Sequence, residues 1–442
     1  MYLLYALDLV VLALFFASYY LTCYRHGYRV DFWHAQLFLL FIFPNMIMLP
    51  FATSELNLVI LGSDFNAVVS AVPTVFLITL IGYSAVLIGS SLWRVHLGVG
   101  MRKGTARLLS IVPRCSMMLM SSSNVLVFQS ALCLILQLLM LSLYFSRSGF
   151  GFDLRTFTFE NPQLRPIALL TSGYSVLIAS HCLARYADTR EKVLLRCTLI
   201  LTIGIAFFGS RGSVIGIYIS VLLCYLVKLR RNISLVRIIS TIVLIIATLF
   251  YLGNLRAGDY SFAGFAGSFI FLLFYGNNFS DLRDFAWVYS AWNHLFWGGK
   301  TYVAAIVSFV PRFASHFRDT WAIGAMTAST AGFDPQVHPG LRPGYFGEGF
   351  FNFGLPGVVA VGLLLGIALR RVDIDVKRAF SSSQPSMMKA FASTTIFGVA
   401  TTFAISAGFS GLYVVAGIYL FSWFCLCVER IFHSVPVLNE SF

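Results

Sequence analysis

The sequence predicts an all-helical protein that crosses a membrane about eleven times and carries one large outer loop. Hydrophobic residues make up 58% of its 442 residues and charged residues only 11%, whereas about a quarter of an average soluble domain is charged. The mean hydropathy is +0.81, and the apolar residues recur in runs that suit membrane-spanning helices. The abundant aromatic residues fit bilayer interfaces and a helical bundle better than a β-barrel.

Hydrophobic runs define the predicted spans. Two of them are separated only by Ser210, Arg211 and Gly212, which predicts a tight turn or a broken helix near one membrane face, because a charge within lipid is costly. The runs lie near residues 2–22, 35–53, 68–93, 116–145, 166–184, 197–209, 213–227, 238–253, 355–369, 389–408 and 411–428.

The runs divide the chain into three predicted regions. Residues 1–253 carry spans one to eight, residues 254–354 form the large outer loop, and residues 355–442 carry the last three spans and a short tail. If the N-terminus is outside, 21 of the 31 basic residues fall on the inner side, giving net charges of +14 inside and −1 outside. Short cytoplasmic loops carry such an excess, so we expect the C-terminus inside. This distribution also explains the isoelectric point of about 9.5 and excludes nucleic acid as a partner.

The outer loop differs in composition from the rest of the chain. Loops of this length in compact proteins are usually functional. Its apolar stretches 261–275 and 301–310 are too short to span a bilayer, so we expect interfacial or re-entrant helices that cap the bundle; a second pair of crossings is the alternative. Its charged residues and histidines include Arg256, Asp259, Asp281, Arg283, Asp284, His294, Arg312, His316, Arg318, Asp319, Asp334, His338, Arg342 and Glu348.

Arg211 is the first candidate catalytic residue. It lies between two apolar helices, beside Gly209 and Gly212, and a helix is expected to begin again at Ser213. The N-terminus of a helix favours anions, and the arginine fork of donors fits phosphate. We therefore expect Arg211 to bind a phosphate group, the alternative being a turn arginine that extends to the membrane interface.

Glu348 and His338 are the other two candidate catalytic residues. Glycines and prolines between His338 and Gly354 predict a rigid path into the next span, and Glu348 lies where this path meets the membrane. A carboxylate in a dry site can serve as a general base. Glu348 could instead be a structural hydrogen-bond acceptor or pair with an outer arginine, and His338 could be a solvated loop residue.

Further arginines are candidates for binding diphosphate or glycan, although each could instead pair with a neighbouring acid. Asp373 and Asp375 have the spacing found in metal-dependent sugar transferases, but they lie between basic residues on the predicted inner side. No outer carboxylate cluster has metal-ligand spacing, so neither a metal nor another cofactor is expected. The candidate arginines are Arg256, Arg283, Arg312, Arg318 and Arg342.

Together these features resemble bacterial O-antigen polymerases of the Wzy type. The resemblance rests on the break at 210–212, the arginine-rich outer loop, and Gly347-Glu348 followed by Asn352-Phe353-Gly354 and Gly357. It covers about residues 200–370, while the N-terminal part agrees only in hydropathy. The O-antigen ligases share this layout.

The resemblance implies a metal-independent, inverting glycosyltransferase at the outer face of the bacterial inner membrane. Such an enzyme moves a growing chain from undecaprenyl diphosphate to an incoming lipid-linked repeat unit during lipopolysaccharide or related polysaccharide biosynthesis. The resemblance also implies that donor and acceptor are lipid-linked oligosaccharides, that the protein lies in the lipid bilayer and that a chain-length regulator is its partner. The arginine role carries over to Arg211 directly and to Arg283, Arg312 and Arg342 by location, and the family glutamate matches Glu348. The alternatives are a transporter or flippase of lipid-linked oligosaccharide and, next, a ligase.

Overall fold

The computed structural model describes residues 2–54, 65–92, 110–149, 154–161, 163–208, 211–230, 232–256, 279–310, 315–335 and 338–434, with separate positions between 261 and 276. Across these ranges the regular structure is helical, and they contain no β-strand.

The first half of the chain forms long helices joined by short connections. Turns of π-helix extend the first helix through Tyr20–Tyr24 and the second through Phe38–Ile47, and residues 110–119 are also helical. The helices are α1 (Tyr2–Tyr19), α2 (Phe32–Leu37), α3 (Leu49–Ala52), α4 (Phe65–Leu92), α5 (Ser123–Ser148), α6 (Leu154–Glu160), α7 (Arg165–Thr189), α8 (Lys192–Phe207), α9 (Arg211–Leu229) and α10 (Leu235–Arg256).

The second half begins with four short helices, which occupy the predicted outer loop, and ends with three long ones. Short 3₁₀ turns lie at Val307–Phe309 and Ser406–Gly408. The helices are α11 (Asp281–Ala291), α12 (Lys300–Ile306), α13 (His316–Trp321), α14 (Ile323–Thr330), α15 (Gly344–Ser381), α16 (Met387–Ala404) and α17 (Phe409–Ser434). The predicted apolar stretch at 301–310 is thus a short helix, whereas most of 261–275 lies outside the described residues.

Seven helices of the described chain are long and apolar enough to cross a membrane. The protein is therefore an all-α membrane protein, as its composition predicts. The seven are Tyr2–Tyr24, Phe65–Leu92, Ser123–Ser148, Arg165–Thr189, Gly212–Leu229, Gly344–Ser381 and Ser406–Ile431.

The predicted break around Arg211 is a helical hairpin. Helix α8 ends at Phe207 and α9 begins at Arg211, two residues before the expected restart at Ser213. The hydroxyls of Thr202 and Tyr218 lie 2.8 Å apart, whereas sixteen residues of continuous helix would separate them by about 24 Å. The two helices therefore run antiparallel, with Arg211 at their joined ends.

Hydrogen bonds between helix ends define one end of the bundle, which we call the Ser381 end. Arg230, which follows α9, donates to the Ser381 hydroxyl at 3.5 Å. Asp188, near the end of α7, accepts the backbone N–H of Met387 at 2.8 Å and so caps the start of α16. Glu429 of α17 accepts from Ser122, the N-cap of α5.

The opposite end is called the Gly354 end. The long helices that reach the Ser381 end have their other termini here, so Arg211 at the start of α9 lies at this end. Ser406, between α16 and α17, bonds to Glu348 of α15, and the Tyr413 hydroxyl of α17 donates to the carbonyl of Ile306 in α12. Helix α12 of the outer segment therefore packs on this end of the bundle.

Glycines allow α4 and α15 to pack backbone against backbone. A Cβ on Gly362 would lie 2.5 Å from the carbonyl oxygen of Gly82, and one on Gly366 would overlap the carbonyl oxygen of Val86. The residue numbers of the two partners differ by the same amount in both pairs, so the two helices run parallel. Small residues permit such close approach in membranes, where packing rather than water expulsion drives association.

Candidate functional site

Helix α15 is broken at Gly354 into a short arm (344–353) and a long arm (355–381). Gly354 has φ +64°, outside the helical region and favourable for glycine. A Cβ on Gly349 would lie 3.0 Å from the carbonyl oxygen of Gly357, although eight residues of continuous helix would separate them by about 12 Å. The short arm therefore folds back along the long arm at the Gly354 end.

A turn from the outer segment completes the end of the short arm. The backbone N–H of Trp297 donates to the carbonyl of Phe351 at 2.8 Å, and that of Gly298 donates to the carbonyl of Asn352 at 3.2 Å. The last carbonyls of a helix lack partners within the helix, and the reversal at Gly354 removes any continuation. The loop before α12 thus satisfies the backbone groups that the break leaves open.

Glu348 is the centre of a buried polar network. Its side chain is 1% exposed, and its Oε1 accepts from the Thr301 hydroxyl at 2.6 Å while Oε2 accepts from the Ser406 N–H at 2.8 Å. Asn352 donates to the Thr301 hydroxyl at 2.8 Å. Within the described chain no arginine pairs with Glu348. This placement matches the structural acceptor role that the sequence offered as the alternative to a base, because Glu348 joins the short arm, α12 and the turn before α17.

Arg283 and Asp284 form a buried ion pair in α11. Each is 4% exposed, and the Arg283 Nη2 donates to the Asp284 Oδ1 at 2.9 Å. The other carboxylate oxygen accepts from the Ser280 hydroxyl at 2.9 Å and from the Arg342 N–H at 3.2 Å. Of the two roles predicted for Arg283, pairing with a neighbouring acid is thus observed. The pair fixes the guanidinium in place and ties α11 to the loop before α15.

A cleft lies against this ion pair. It is lined by Arg283 together with apolar side chains that include Met48, Phe274, Phe279 and Leu282, and as it stands it has room for about one water-sized group. The lining combines apolar walls with a guanidinium, the two kinds of group that a ligand joining a hydrocarbon chain to an anion would contact, but the cleft would have to widen to admit such a ligand.

Asp281, at the first position of α11, is a residue that sequence reasoning missed as a candidate. Burial, reinforced by the like charge of Asp284, raises the pKa of Asp281 to about 7, while Arg342 acts in the opposite direction. Its side chain is half-buried and that of Arg342 is exposed. The sequence counts Asp281 among many loop charges and contains no signal that separates it from Asp284.

His338 lies on the loop that leads into α15. Its ring stacks on Phe333 at a centroid distance of 4.3 Å, and its Nδ1 accepts the N–H of Gly340 at 3.1 Å. A backbone N–H can only donate, so the proton of the neutral ring lies on Nε2. The ring is thus arranged to donate a hydrogen bond, and no hydrogen bond between described residues joins it to Glu348.

The remaining candidate arginines are only partly described. The Arg318 guanidinium donates to the carbonyl of Val310, which makes it part of the local loop structure. Arg211 and Arg256 occupy helix ends, but their side chains lie outside the described residues, as does Arg312 entirely. The structure therefore brings Arg283 and Arg342 together around Asp284, and it places the backbone of Arg211 at the Gly354 end.

A second charged cluster lies at the Ser381 end. Lys377 donates to Asp31 at 3.1 Å and to Asp373 at 2.9 Å, and Arg371 pairs with Asp375. The two aspartates of the Asp-x-Asp pattern are thus ion-paired with the basic residues that flank them in the sequence.

One group of side chains in this cluster has donor atoms that suit a metal ion. Cys23, Asp31 and His34 are buried, and their sulfur, oxygen and nitrogen atoms lie within 4.8 Å of one another. Asp31 already accepts from His34 and from Lys377. Hydrogen bonds and the neighbouring ammonium therefore satisfy this carboxylate as it stands.

In comparison with known proteins, the chain matches no protein-family model, no curated protein and no solved structure.

Proposed function

We propose that this chain polymerises undecaprenyl-diphosphate-linked oligosaccharide repeat units into O-antigen or a related surface polysaccharide. In this proposal the chain crosses the bacterial inner membrane eleven times, with its N-terminus outside and its C-terminus inside. Donor and acceptor are both lipid-linked oligosaccharides, and a chain-length regulator is the proposed protein partner. The reaction is a metal-independent, inverting glycosyl transfer at the outer face.

The arrangement of helix ends supports this topology. Of the basic residues counted as inner, the described Arg230, Arg371 and Lys377 lie near the Ser381 end. The outer segment and the start of α9 lie at the Gly354 end. The Ser381 end thus corresponds to the positively charged inner face, and the Gly354 end corresponds to the outer face, where positive and negative charges nearly balance.

The observation that carries the functional proposal is the cluster that α11 forms with the loop before α15. There a fixed guanidinium lines a small cleft with apolar walls, and an exposed arginine and a half-buried carboxylate lie nearby in α11 and the loop. A polyprenyl-diphosphate donor presents a hydrocarbon chain, an anionic leaving group and a sugar. The cluster offers apolar walls for the hydrocarbon chain, arginines for the anionic leaving group and a carboxylate that can accept the proton.

Charge stabilisation is the main requirement of the proposed reaction. The acceptor hydroxyl attacks the anomeric carbon of the donor sugar, and the bond from that carbon to the diphosphate oxygen breaks. Negative charge grows on the leaving diphosphate, where preorganised cations stabilise the transition state most effectively. We assign this role to Arg211, Arg342 and Arg283, with Arg312, Arg256 and Arg318 as further contacts to diphosphate or glycan. Glu348 holds the short arm of α15 in place, and His338 donates a hydrogen bond to the substrate.

A transporter is the alternative from another class. Transporters use paired broken helices near the bilayer midplane, and the described residues contain two breaks, at Arg211 and at Gly354. Sixteen residues, about 24 Å of helix, separate Gly354 from Arg370, the first charged residue of the long arm. Since the hydrocarbon core is about 30 Å thick, a long arm that crosses it puts this break near the outer edge of the membrane. The break and the Glu348 network beside it would then lie on the outer side, not at the midplane.

The polymerisation product provides the test in cells. Deleting the gene that encodes this chain should leave surface glycans of a single repeat unit, and the wild-type gene should restore the ladder of longer chains. If the chain were a ligase, its deletion would instead leave polymer on the lipid carrier. If it were a flippase, its deletion would leave repeat units on the inner face. Cysteine labelling at Asp334 and at Lys103 tests the topology, because only the cysteine at 334 should react with an impermeant reagent from outside. Reaction at 103 instead would contradict the orientation.

A further inference from the structure

A catalytic base needs a lone pair that can reach the acceptor hydroxyl, and neither candidate named from the sequence presents one. Both carboxylate oxygens of Glu348 accept hydrogen bonds from the protein, and the side chain is 1% exposed, so the protein encloses it. The Nδ1 of His338 accepts the N–H of Gly340, and the proton of the neutral ring then lies on Nε2. Glu348 is therefore out of reach of a substrate, and His338 can donate a hydrogen bond but has no open lone pair.

Asp281 differs from both of them. In the described part of the chain no donor bonds to its carboxylate, and its side chain is half-buried, not enclosed. Asp284, one helical turn further on, has its oxygens occupied by Arg283, Ser280 and the Arg342 N–H. Of the two carboxylates in α11, Asp281 is therefore the one whose lone pairs remain open.

The surroundings of Asp281 leave it accessible from the neighbouring loop. A Cβ on Gly344 would lie 3.4 Å from the Cβ of Asp281 and 3.7 Å from its Oδ2. Gly344 has φ +68°, a conformation that glycine adopts without strain. A larger residue there would cover the carboxylate, so glycine keeps it open. The next two residues of α11, Leu282 and Arg283, line the cleft.

We propose that Asp281 is the catalytic base of the polymerisation, an inference that rests on the proposed function. As the oxygen of the acceptor hydroxyl bonds to the anomeric carbon of the donor sugar, its proton passes to the Asp281 carboxylate. The bond from the anomeric carbon to the diphosphate oxygen breaks, and its electron pair leaves with the diphosphate. Asp281 then returns the proton to water or to the released diphosphate, and no further reactant is required.

Burial and the neighbouring charges determine how the protonation of Asp281 depends on pH. Asp284 faces it from α11, and Arg342 and Tyr345 face it from the loop and the start of α15. Burial, reinforced by the like charge of Asp284 and opposed by Arg342, raises the pKa of Asp281 to about 7, where a base is most effective at neutral pH. The carboxylate is ionised above this value, so the rate should fall as the pH drops below about 7.

The test measures initial rates of polymer formation by the full chain in proteoliposomes. The substrate is the lipid-linked repeat unit extracted from source cells that lack the gene. Asp281→Asn should lower the turnover number by about 10² to 10⁴, the usual contribution of a general base, and Asp281→Glu should keep part of the activity. Asp334→Asn removes an exposed carboxylate from the same outer segment and should leave the rate unchanged. The acid limb of the wild-type pH profile should be missing from the residual activity of Asp281→Asn.

Chemical rescue separates a base from a structural residue. In Asp281→Ala, added formate should restore part of the rate, because a small carboxylate can enter the space that the side chain vacates. If the wild-type chain polymerises and Asp281→Asn keeps the full rate, or keeps the acid limb of the pH profile, Asp281 is not the base. The proposed function would then still stand. A lower rate in Asp281→Asn without formate rescue of Asp281→Ala would also overturn the assignment of Asp281, since that pattern marks a structural role. A wild-type chain that forms no polymer from lipid-linked units would overturn both proposals.

Discussion

Gly349 and Gly357 lie in backbone contact although they belong to the two arms of one helix. A Cβ on Gly349 would come within 3.0 Å of the Gly357 carbonyl oxygen, so the arms approach as closely as bare backbone allows. This contact holds the short arm against the long arm and places Glu348 where it reaches both Thr301 and Ser406. The outer segment is thus fixed to the bundle through one reversed helix.

Gly357→Ala should destabilise the protein, because its methyl group would overlap the Gly349 carbonyl and the arms would have to separate. Overpacking of this kind typically costs about 1 to 3 kcal/mol. Gly398→Ala in α16 is the matched control, since nothing lies within 4 Å of a Cβ there, and it should be neutral or slightly stabilising. The melting temperature in detergent measures both variants. Equal melting temperatures for the two would show that the arms are not in tight contact.

Thr301→Val should also destabilise the protein, because it leaves the Oε1 of Glu348 and the amide of Asn352 without a hydrogen-bond partner at Thr301. An unsatisfied buried polar group costs about 1 to 3 kcal/mol, whereas Thr301→Ser should retain most of the stability. Thr241→Val is the control, because that exposed hydroxyl bonds only to Arg237 of its own helix. The network has no structural importance if Thr301→Val and Thr241→Val unfold at the same denaturant concentration.

Arg211→Ala should abolish polymerisation and leave the protein folded and inserted, because the sequence assigns the turn to the adjacent glycines and not to the guanidinium. Loss of one contact to a transition-state anion typically lowers the rate by about 10² to 10³, or about 3 to 4 kcal/mol. Arg211→Lys should recover part of the rate, since it keeps the charge but loses the two-pronged geometry. Arg237→Ala, which removes an exposed arginine near the Ser381 end, should have no effect. Normal chain length in cells that express Arg211→Ala at the wild-type level would leave Arg211 as a turn residue at the interface.

Asp281→Asn should stabilise the protein at alkaline pH. The pKa of Asp281 is raised from 3.8 to about 7 in the folded protein, so the unfolded chain loses this proton at lower pH than the folded one. Stability is therefore lost as the pH rises from about 4 to about 7. The difference in melting temperature between Asp281→Asn and wild type should grow over this range and stay constant above it. A difference that does not change with pH would mean that Asp281 has an ordinary pKa.

Hydropathy and charge were sufficient to predict the helical membrane fold and the break beside Arg211. Apolar runs must lie in lipid, and a charged residue between two of them must lie at an interface, so local sequence decides both features. The ion pairing of Asp373 is also local, because Arg370 and Lys377 lie one helical turn away on the same face.

The reversal at Gly354 and the openness of Asp281 could not be predicted in this way. A glycine-rich stretch permits either a helix or a turn. Which of the two forms here depends on the contact with Gly357 and on the N–H groups of Trp297 and Gly298, and these two residues are far from Gly357 in the sequence. Nothing in the local sequence distinguishes Asp281 from Asp284. Only the folded chain determines that Arg342 and Ser280 occupy Asp284 and leave Asp281 open.

Turnover should persist in the presence of a chelator. The charge of the leaving diphosphate is assigned to arginines, and no outer carboxylate cluster has metal-ligand spacing in the sequence. EDTA should therefore leave the rate of polymer formation unchanged. Loss of activity in EDTA with recovery on adding Mg²⁺ or Mn²⁺ would instead place the chain among metal-dependent transferases.

The central claim is that this chain joins lipid-linked repeat units to one another. The most direct measurement uses the purified chain in proteoliposomes with extracted lipid-linked repeat units and no nucleotide sugar, and resolves the products by size. We predict a ladder of lipid-linked oligomers together with released undecaprenyl diphosphate in equal number to the bonds formed. Single repeat units that remain unjoined, or that only change their side of the membrane, would contradict the claim.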